Sequence, residues 1–392
     1  MTGSGWGFAF RDAHGIRPSY YYINDEVAVA ASERAAIRTA FNVGESEVKE
    51  LLPGQALLVA PDGTITVEQI LEPKERKACS FERIYFSRGS DEKIYRERIA
   101  LGNHLSTQVL SAIDYDLKNT IFSFIPNTAE IAFYGLLKGM EDYLNKTKIE
   151  RILSWGPEIE EEKLASIINR RIRIEKIAIK DVKLRTFITQ DDSRNEMVQH
   201  VYDITYGTVR PGEDSLVIID DSIVRGTTLK ESIIKMISRL NPKKIIIVSS
   251  APQIRYPDCY GIDMSKMGDF VAFRAAIELM YEKGLEKELQ QILADCRELK
   301  RTDQLHTVNL VKKIYASFTI DEINRKIAEL ITPPKWKIPV EVIFQTIESL
   351  HRACPSNLGD WYFTGNYPTP GGNRVCNMAF INYMDGKNVR AY

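Results

Sequence analysis

Thiols, histidines and net charge are all scarce in this sequence. Five cysteines among 392 residues form no CxxC pair. An odd, scattered set argues against a disulfide framework and fits a reducing compartment. Of the five histidines, His14, His104, His306 and His351 show no ligand spacing, and His200 stands alone in a polar stretch. A net charge of −1 gives no electrostatic footprint for nucleic acid. No apolar run approaches the roughly 20 residues of a membrane helix. The opening MTGSGWGFAF has no charged region followed by an apolar one, so no secretory signal is read there. The expectation is a cytoplasmic protein without nucleic-acid or membrane partners. At 44% hydrophobic and 27% charged, the composition is that of a globular chain, long enough for two domains.

Patterning divides the chain into four parts. In residues 1–78, GWGFAFRDAHGIRP enters a strand almost at once, and GQALLVAPDGTITVEQI reads as a hairpin about Asp62-Gly63. This part is either a small β unit or the end of a larger domain. In residues 79–270, apolar runs (NTIFSFI, IEKIAIK, SLVII, KKIIIVSS) alternate with helical stretches, which predicts an α/β domain with a parallel sheet. Residues 271–330 are helical. Residues 331–392, rich in Pro, Gly and aromatics, are expected to wrap over the rest. The segment 144–173 is expected to be an ordinary helix on the sheet edge.

The stretch SLVIIDDSIVRGTTLK, residues 215–230, concentrates the chemistry. A buried strand runs into two adjacent carboxylates, Asp220 and Asp221, and then into the loop Ser222, Ile223, Val224, Arg225, Gly226. Thr227 and Thr228 follow at a helix start. Ligands of open parallel sheets bind beyond the carboxyl ends of the strands. Loop N–H groups and a helix N-terminus favour phosphate, Gly226 allows close backbone approach, and the threonines can donate or cap. Carboxylates beside a phosphate cradle repel it unless they hold a cation or sugar hydroxyls. A phosphorylated sugar with Mg²⁺ satisfies both halves. The plainer alternative is an acidic pair that caps a surface turn.

DDSIVRGTT resembles the phosphoribosyl pyrophosphate (PRPP) signature of type I phosphoribosyltransferases, and most closely that of the glutamine PRPP amidotransferase (amidophosphoribosyltransferase) family. RDAHGIRP (11–18), ASE (31–33), PGQALLV (53–59), CSFERIYFSRGSD (79–91), RTFI (185–188), YGIDM (260–264) and FTGNYPTP (363–370) resemble that family in order and approximate spacing. The resemblance implies a type I phosphoribosyltransferase fold preceded by part of an N-terminal-nucleophile (αββα) glutaminase domain. It implies transfer of ammonia to PRPP, giving phosphoribosylamine and pyrophosphate, the first step of purine synthesis. Asp220 and Asp221 would hold ribose hydroxyls and a Mg²⁺-linked network. Residues 225–228 would cradle the 5′-phosphate, and Pro126, Asn127 and Thr128 would form the pyrophosphate loop. Arg185 would open a flap over the reacting centre. Purine nucleotides as inhibitors and a homo-oligomer are further implications.

The departures are specific. Thr2 follows Met1 and the upstream glutamine-binding segments have no counterpart, so no glutaminase half-reaction is expected. Cys79 matches the first iron–sulfur ligand of one subclass. The second position is Asp258, with Cys259 one place off, and Gly359 and Tyr362 replace the tail's CxxC. A cubane usually needs four thiolates, so no cluster is expected, with Cys354 or Cys376 the remaining substitutes. Ala129 stands where the family has a hydroxyl, and VQHVYDI (198–204) replaces a basic flap stretch. Four readings stay open at this level. They are a family member with a working PRPP site, a transferase using free ammonia, a non-catalytic PRPP- or nucleotide-binding regulator, and a salvage-type transferase.

Overall fold

The computed structural model describes residues 2–156, 159–180, 202–227, 229–262, 264–334 and 336–391. Two small antiparallel sheets come first, built from β1 (Gly7–Phe10), β2 (Tyr20–Ile23), β3 (Ala28–Ala31), helix α1 (Arg34–Phe41), β4 (Lys49–Glu50), β5 (Gln55–Val59) and β6 (Ile65–Gln69). Their orders are β1-β5-β6 and β3-β2-β4. The β5–β6 hairpin forms about Asp62-Gly63. There Gly63 has φ +86° and the Thr64 N–H donates to Asp62 Oδ1 at 2.9 Å. Both features are what a two-strand reversal with a Gly in the left-handed region requires.

Helices α2 (Glu92–His104) and α3 (Ser106–Ala112) follow, the first capped by Asp91, whose carboxylate accepts from the N–H groups of Lys93 and Ile94. Then come β7 (Thr120–Phe124), α4 (Glu130–Ser154), α5 (Glu161–Ile168), β8 (Arg173–Ile174), β9 (Ala178–Lys180), β10 (Tyr202–Ile204), β11 (Ser215–Asp220) and β12 (Lys244–Ser249). Helices α6 (Val271–Glu282), α7 (Glu286–Arg301), α8 (Lys312–Ala316) and α9 (Ile320–Ile331) lead to β13 (Val340–Phe344). Helices α10 (Ile347–Ala353), α11 (Trp361–Thr364) and α12 (Pro370–Met384) close the chain.

The central sheet has the order β13-β12-β11-β7-β8, and every pairing in it is parallel. Both faces are buried, which is why its strands are continuous apolar runs rather than alternating ones. Leu216 and Ile218 face the larger core with Ile245 and Ile247. Val217 and Ile219 face the other, with Phe133, Leu136 and Met140 of α4.

Three expectations need correction. IEKIAIK is not one strand: Arg173–Ile174 pairs with β7, whereas Ala178–Lys180 leaves the sheet and pairs antiparallel with β10. Buried Ile177, whose N–H donates to Ser123 Oγ at 3.1 Å, marks the point of departure. Segment 144–173 is not one helix on the sheet edge. Its first part extends α4 beyond its last buried residue, Met140, and its second part is α5. The tail does more than wrap, since β13 is an edge strand of the central sheet and Trp361, Tyr362 and Phe380 enter the main core. A wrapping segment with β-branched residues finds a ready template in the exposed edge of β12.

Candidate functional site

Strands β7 and β11 are neighbours in parallel register, so the loops that leave their carboxyl ends lie side by side. This brings together two motifs about a hundred residues apart in the sequence. Thr128, from the loop after β7, comes near enough to Asp221, from the loop after β11, for its hydroxyl to lower that carboxyl's pKa. Asn127 is exposed, Pro126 and Thr128 are half-buried, and Ala129 is fully buried as it leads into α4. A buried methyl at 129 has no hydroxyl to offer, in keeping with the departure noted in the sequence.

The acidic pair is closely held. The Asp221 N–H donates to Asp220 Oδ1 at 2.8 Å, and Ser222 Oγ donates to Asp221 Oδ1 at 2.8 Å. From the end of β12, the Ser250 N–H donates to the Asp220 carbonyl at 3.0 Å and its Oγ to the Asp221 carbonyl at 3.1 Å. Burial, and then the neighbouring Asp221, hold Asp220 well above the usual carboxylate range. Burial likewise pushes Asp221 up to about 6, against the hydrogen bond of Ser222, the charge of Arg98 and the nearby Thr128 hydroxyl. Two adjacent carboxyls that resist ionisation together are good acceptors for a divalent cation, which removes the cause of the resistance.

The loop is fixed from below. Ile223 is buried in the core, so any part it takes in binding is through its backbone, and the Val224 carbonyl accepts from the Val271 N–H at 2.8 Å. The Arg225 side chain points to Asp269, at 2.9 Å, and its carbonyl accepts from Arg274 at 2.6 Å. Gly226 has φ +71°, and a Cβ there would stand 2.9 Å from Ile331 Cγ2. Thr227 is exposed. A π-helical turn, Leu229–Ile234, follows, and the Lys230 N–H donates to the Gly226 carbonyl at 3.0 Å. Thr228, Arg185 and His200 lie outside the described residues.

Two side chains of this site were not read from the sequence. Arg98 is 4% exposed and donates to the carbonyls of Arg83, Tyr85 and Ser87, and its charge acts on Asp221. Burial raises the Tyr85 phenol, with the charges of Asp221 and then Asp220 adding to the shift. Both belong to the CSFERIYFSRGSD segment and the helix after it, which the sequence presents only as a linker. A groove of about 1350 Å³ along β13 and α9 contains none of the site residues. Size alone does not locate the chemistry here.

No protein-family model matches the chain. Among curated proteins it is 27% identical to the amidophosphoribosyltransferase of Escherichia coli over 330 residues, which cover 80% of this chain and 58% of that protein. The Pasteurella multocida enzyme of that name is 27% identical over 296 residues (73% and 52%), and that of Lachancea kluyveri 28% over 317 (76% and 54%). Its curated relatives are amidophosphoribosyltransferases. The resemblance read from the motifs is borne out, and the chain spans a little over half the length of these relatives. The glutamine PRPP amidotransferase of B. subtilis, solved with ADP and GMP, superposes with a TM-score of 0.58 at 22% identity, covering 94% of this chain and 63% of that one. A structure described as the allosteric regulatory enzyme of purine biosynthesis gives the same score, covering 93% and 61%. The parallel sheet flanked by helices is thus a type I phosphoribosyltransferase fold.

The iron–sulfur positions of the amidophosphoribosyltransferase resemblance do converge, but around an arginine. Arg17 donates to Glu82 Oε1 (2.9 Å), to both oxygens of Asp258 (3.2 and 3.3 Å), to the Tyr362 hydroxyl (3.1 Å) and to Cys79 Sγ (3.5 Å). Trp361 Nε1 donates to the same Asp258 carboxylate at 3.2 Å. Burial pushes the Cys79 thiol up to about 12. A Cβ at Gly359 would meet the Lys77 carbonyl oxygen at 2.4 Å, which leaves no room for a thiolate there. A guanidinium, a carboxylate and two aromatic rings fill the space, and these residues do not fit a cubane. Among the described residues, no group of three or more His, Cys, Asp or Glu side chains is arranged to hold a metal.

Proposed function

We propose that the chain binds PRPP at the loops after β7 and β11 and transfers ammonia to it, as an amidophosphoribosyltransferase. The observation that carries this reading is the parallel register of β7 and β11, which sets the loop holding residues 126–128 beside the tightly held Asp220–Asp221 pair and the left-handed Gly226. In this reading residues 225–228 take the 5′-phosphate, Asp220 and Asp221 the ribose hydroxyls, and residues 126–128 the pyrophosphate. Arg185 acts over the reacting centre.

Two adjacent carboxylates fit Mg²⁺, which is commonly bound by one or two carboxylates together with substrate phosphates. When bound, the ion neutralises pyrophosphate charge, and Asp220 and Asp221 are the groups that would hold it. The chain's own residues do the rest. The nitrogen lone pair of ammonia forms the bond to ribose C1 while the C1–O bond to pyrophosphate breaks, both electrons leaving with pyrophosphate, and one proton goes to solvent. Loop and acidic pair fix the ribose so that C1 is presented to the nucleophile, and the fixed dipoles favour the charge-separated transition state.

The reading extends to part of a glutaminase-type domain in residues 1–78, a transferase domain in 79–270, a helical extension in 271–330 and the tail in 331–392. It also includes a cytoplasmic location, a homo-oligomer, and purine nucleotides as inhibitors, the last supported by the ADP and GMP in the B. subtilis complex. Pyrophosphate release from PRPP, followed with and without ammonium, tests it. Ammonium-dependent release is expected; PRPP binding without any release would favour a regulatory PRPP-binding protein instead.

A further inference from the structure

A second polar pocket, whose lining includes none of the loop residues after β7 and β11, lies at the seam between the N-terminal sheets, α2 and the C-terminal tail. It encloses about 140 Å³. Five of its lining side chains are cationic (Arg11, Arg34, Arg76, Arg83 and Lys93), and only Glu50 and Glu82 are acidic. The acids are already engaged. Glu50 takes Arg11 at 2.6 Å and Arg76 at 2.7 Å, and Glu82 takes Arg17. Arg34 is held by Asp91 and Glu45 outside the pocket.

Arg83 and Lys93 are left with donors to spare. Arg83 is 7% exposed, its Nε is paired with Glu97, and its Nη2 is buried with no partner. Glu97 Oε1, the other unpartnered atom of that pair, is not part of the pocket lining. Lys93 Nζ reaches Ser356 Oγ at 3.2 Å. An unpartnered charged N–H in the interior is costly, and such groups are normally satisfied by protein, water or an ion. The cationic excess selects an anion over a neutral group. The volume admits one small anion and is well below the 300–1,000 Å³ or so of a drug-sized ligand's pocket.

We propose that this pocket binds a single small oxyanion of phosphate type, separately from the β11 loop. The planar guanidinium of Arg83 suits such an ion. Seated there, it would brace the seam by joining Arg83 and Lys93 to the arginines of the first sheets.

Calorimetric titration of the full chain with inorganic phosphate, without Mg²⁺, tests the proposal. Phosphate is expected to bind and to raise the melting temperature. Arg83→Lys and Lys93→Gln should each weaken this binding by at least about tenfold, whereas Gly226→Val, which can remove only phosphate held by the β11 loop, should leave in place a binding step that those two variants weaken. Lys93→Gln keeps the Arg83–Glu97 pair intact and so reports even where Arg83→Lys fails to fold. Phosphate that does not bind, binding indifferent to both variants, or binding abolished by Gly226→Val would each overturn the proposal.

Discussion

At the scale of single residues, Asp221 and Gly226 make separable contributions. Asp221→Asn keeps size and removes one charge. It should weaken Mg²⁺-dependent PRPP binding by about 10- to 100-fold, the span of a charged hydrogen bond, while affecting ribose 5-phosphate less. Gly226→Val places a β-branched side chain at φ +71° and against Ile331. It should damage binding of both ligands alike, as read by competitive titration. The acidic pair also carries a pH signature. Its folded-state values lie above the ordinary carboxylate value, with Asp221 at about 6. The pair's contribution to stability is therefore complete below about pH 4 and lost as pH rises through 6. The melting temperature of the free protein should show that loss between pH 4 and 7, and Asp221→Asn should flatten it. Affinity for PRPP with Mg²⁺ should run the opposite way, rising over the same interval. The pair was legible because strand, carboxylates, glycine and threonines are contiguous. Arg98 and Tyr85 were not, because what makes them part of the site is proximity across the fold.

At the scale of elements, the contact between α2 and α4 sets where α4 begins and hence where Thr128 sits. The helices cross at backbone distance: a Cβ on Gly102 would stand 1.7 Å from the Ala132 carbonyl oxygen, and one on Gly135 2.0 Å from that of Ile99. Gly102→Ala should destabilise the protein by about 1–3 kcal/mol through overpacking, measured by denaturant unfolding. Gly371→Ala, whose Cβ meets nothing nearer than 3.9 Å, should be nearly neutral. The parallel strands were legible from apolar runs of five or six residues between helical stretches. The edge strand β13 was not, since Val340–Phe344 alternates only weakly and joins the sheet by the chance of what lies beside β12. IEKIAIK misled for a related reason. Its hydrophobicity is continuous, and only the tertiary partners Ser123 and β10 divide it.

For the whole molecule, the Arg17 node ties residue 17 to residues 79–82, 258–262 and 361–362, four segments that the sequence spreads over nearly its full length. Arg17→Met strands the fully buried Asp258 without its cation. It should cost about 3 kcal/mol, the lower end for breaking a buried pair, with faster proteolysis in the coil before Cys79 as a second readout. Adding Asp258→Asn to that variant should recover part of the loss. The central claim, however, is that the loops after β7 and β11 are one PRPP site. The most direct test is calorimetric titration of the full chain with PRPP, in Mg²⁺ and in excess chelator, on the parent protein and on Asp221→Asn. The account predicts saturable binding to the parent that depends on Mg²⁺ and weakens in the variant. Equal affinity with and without the ion, unchanged by Asp221→Asn, would contradict it.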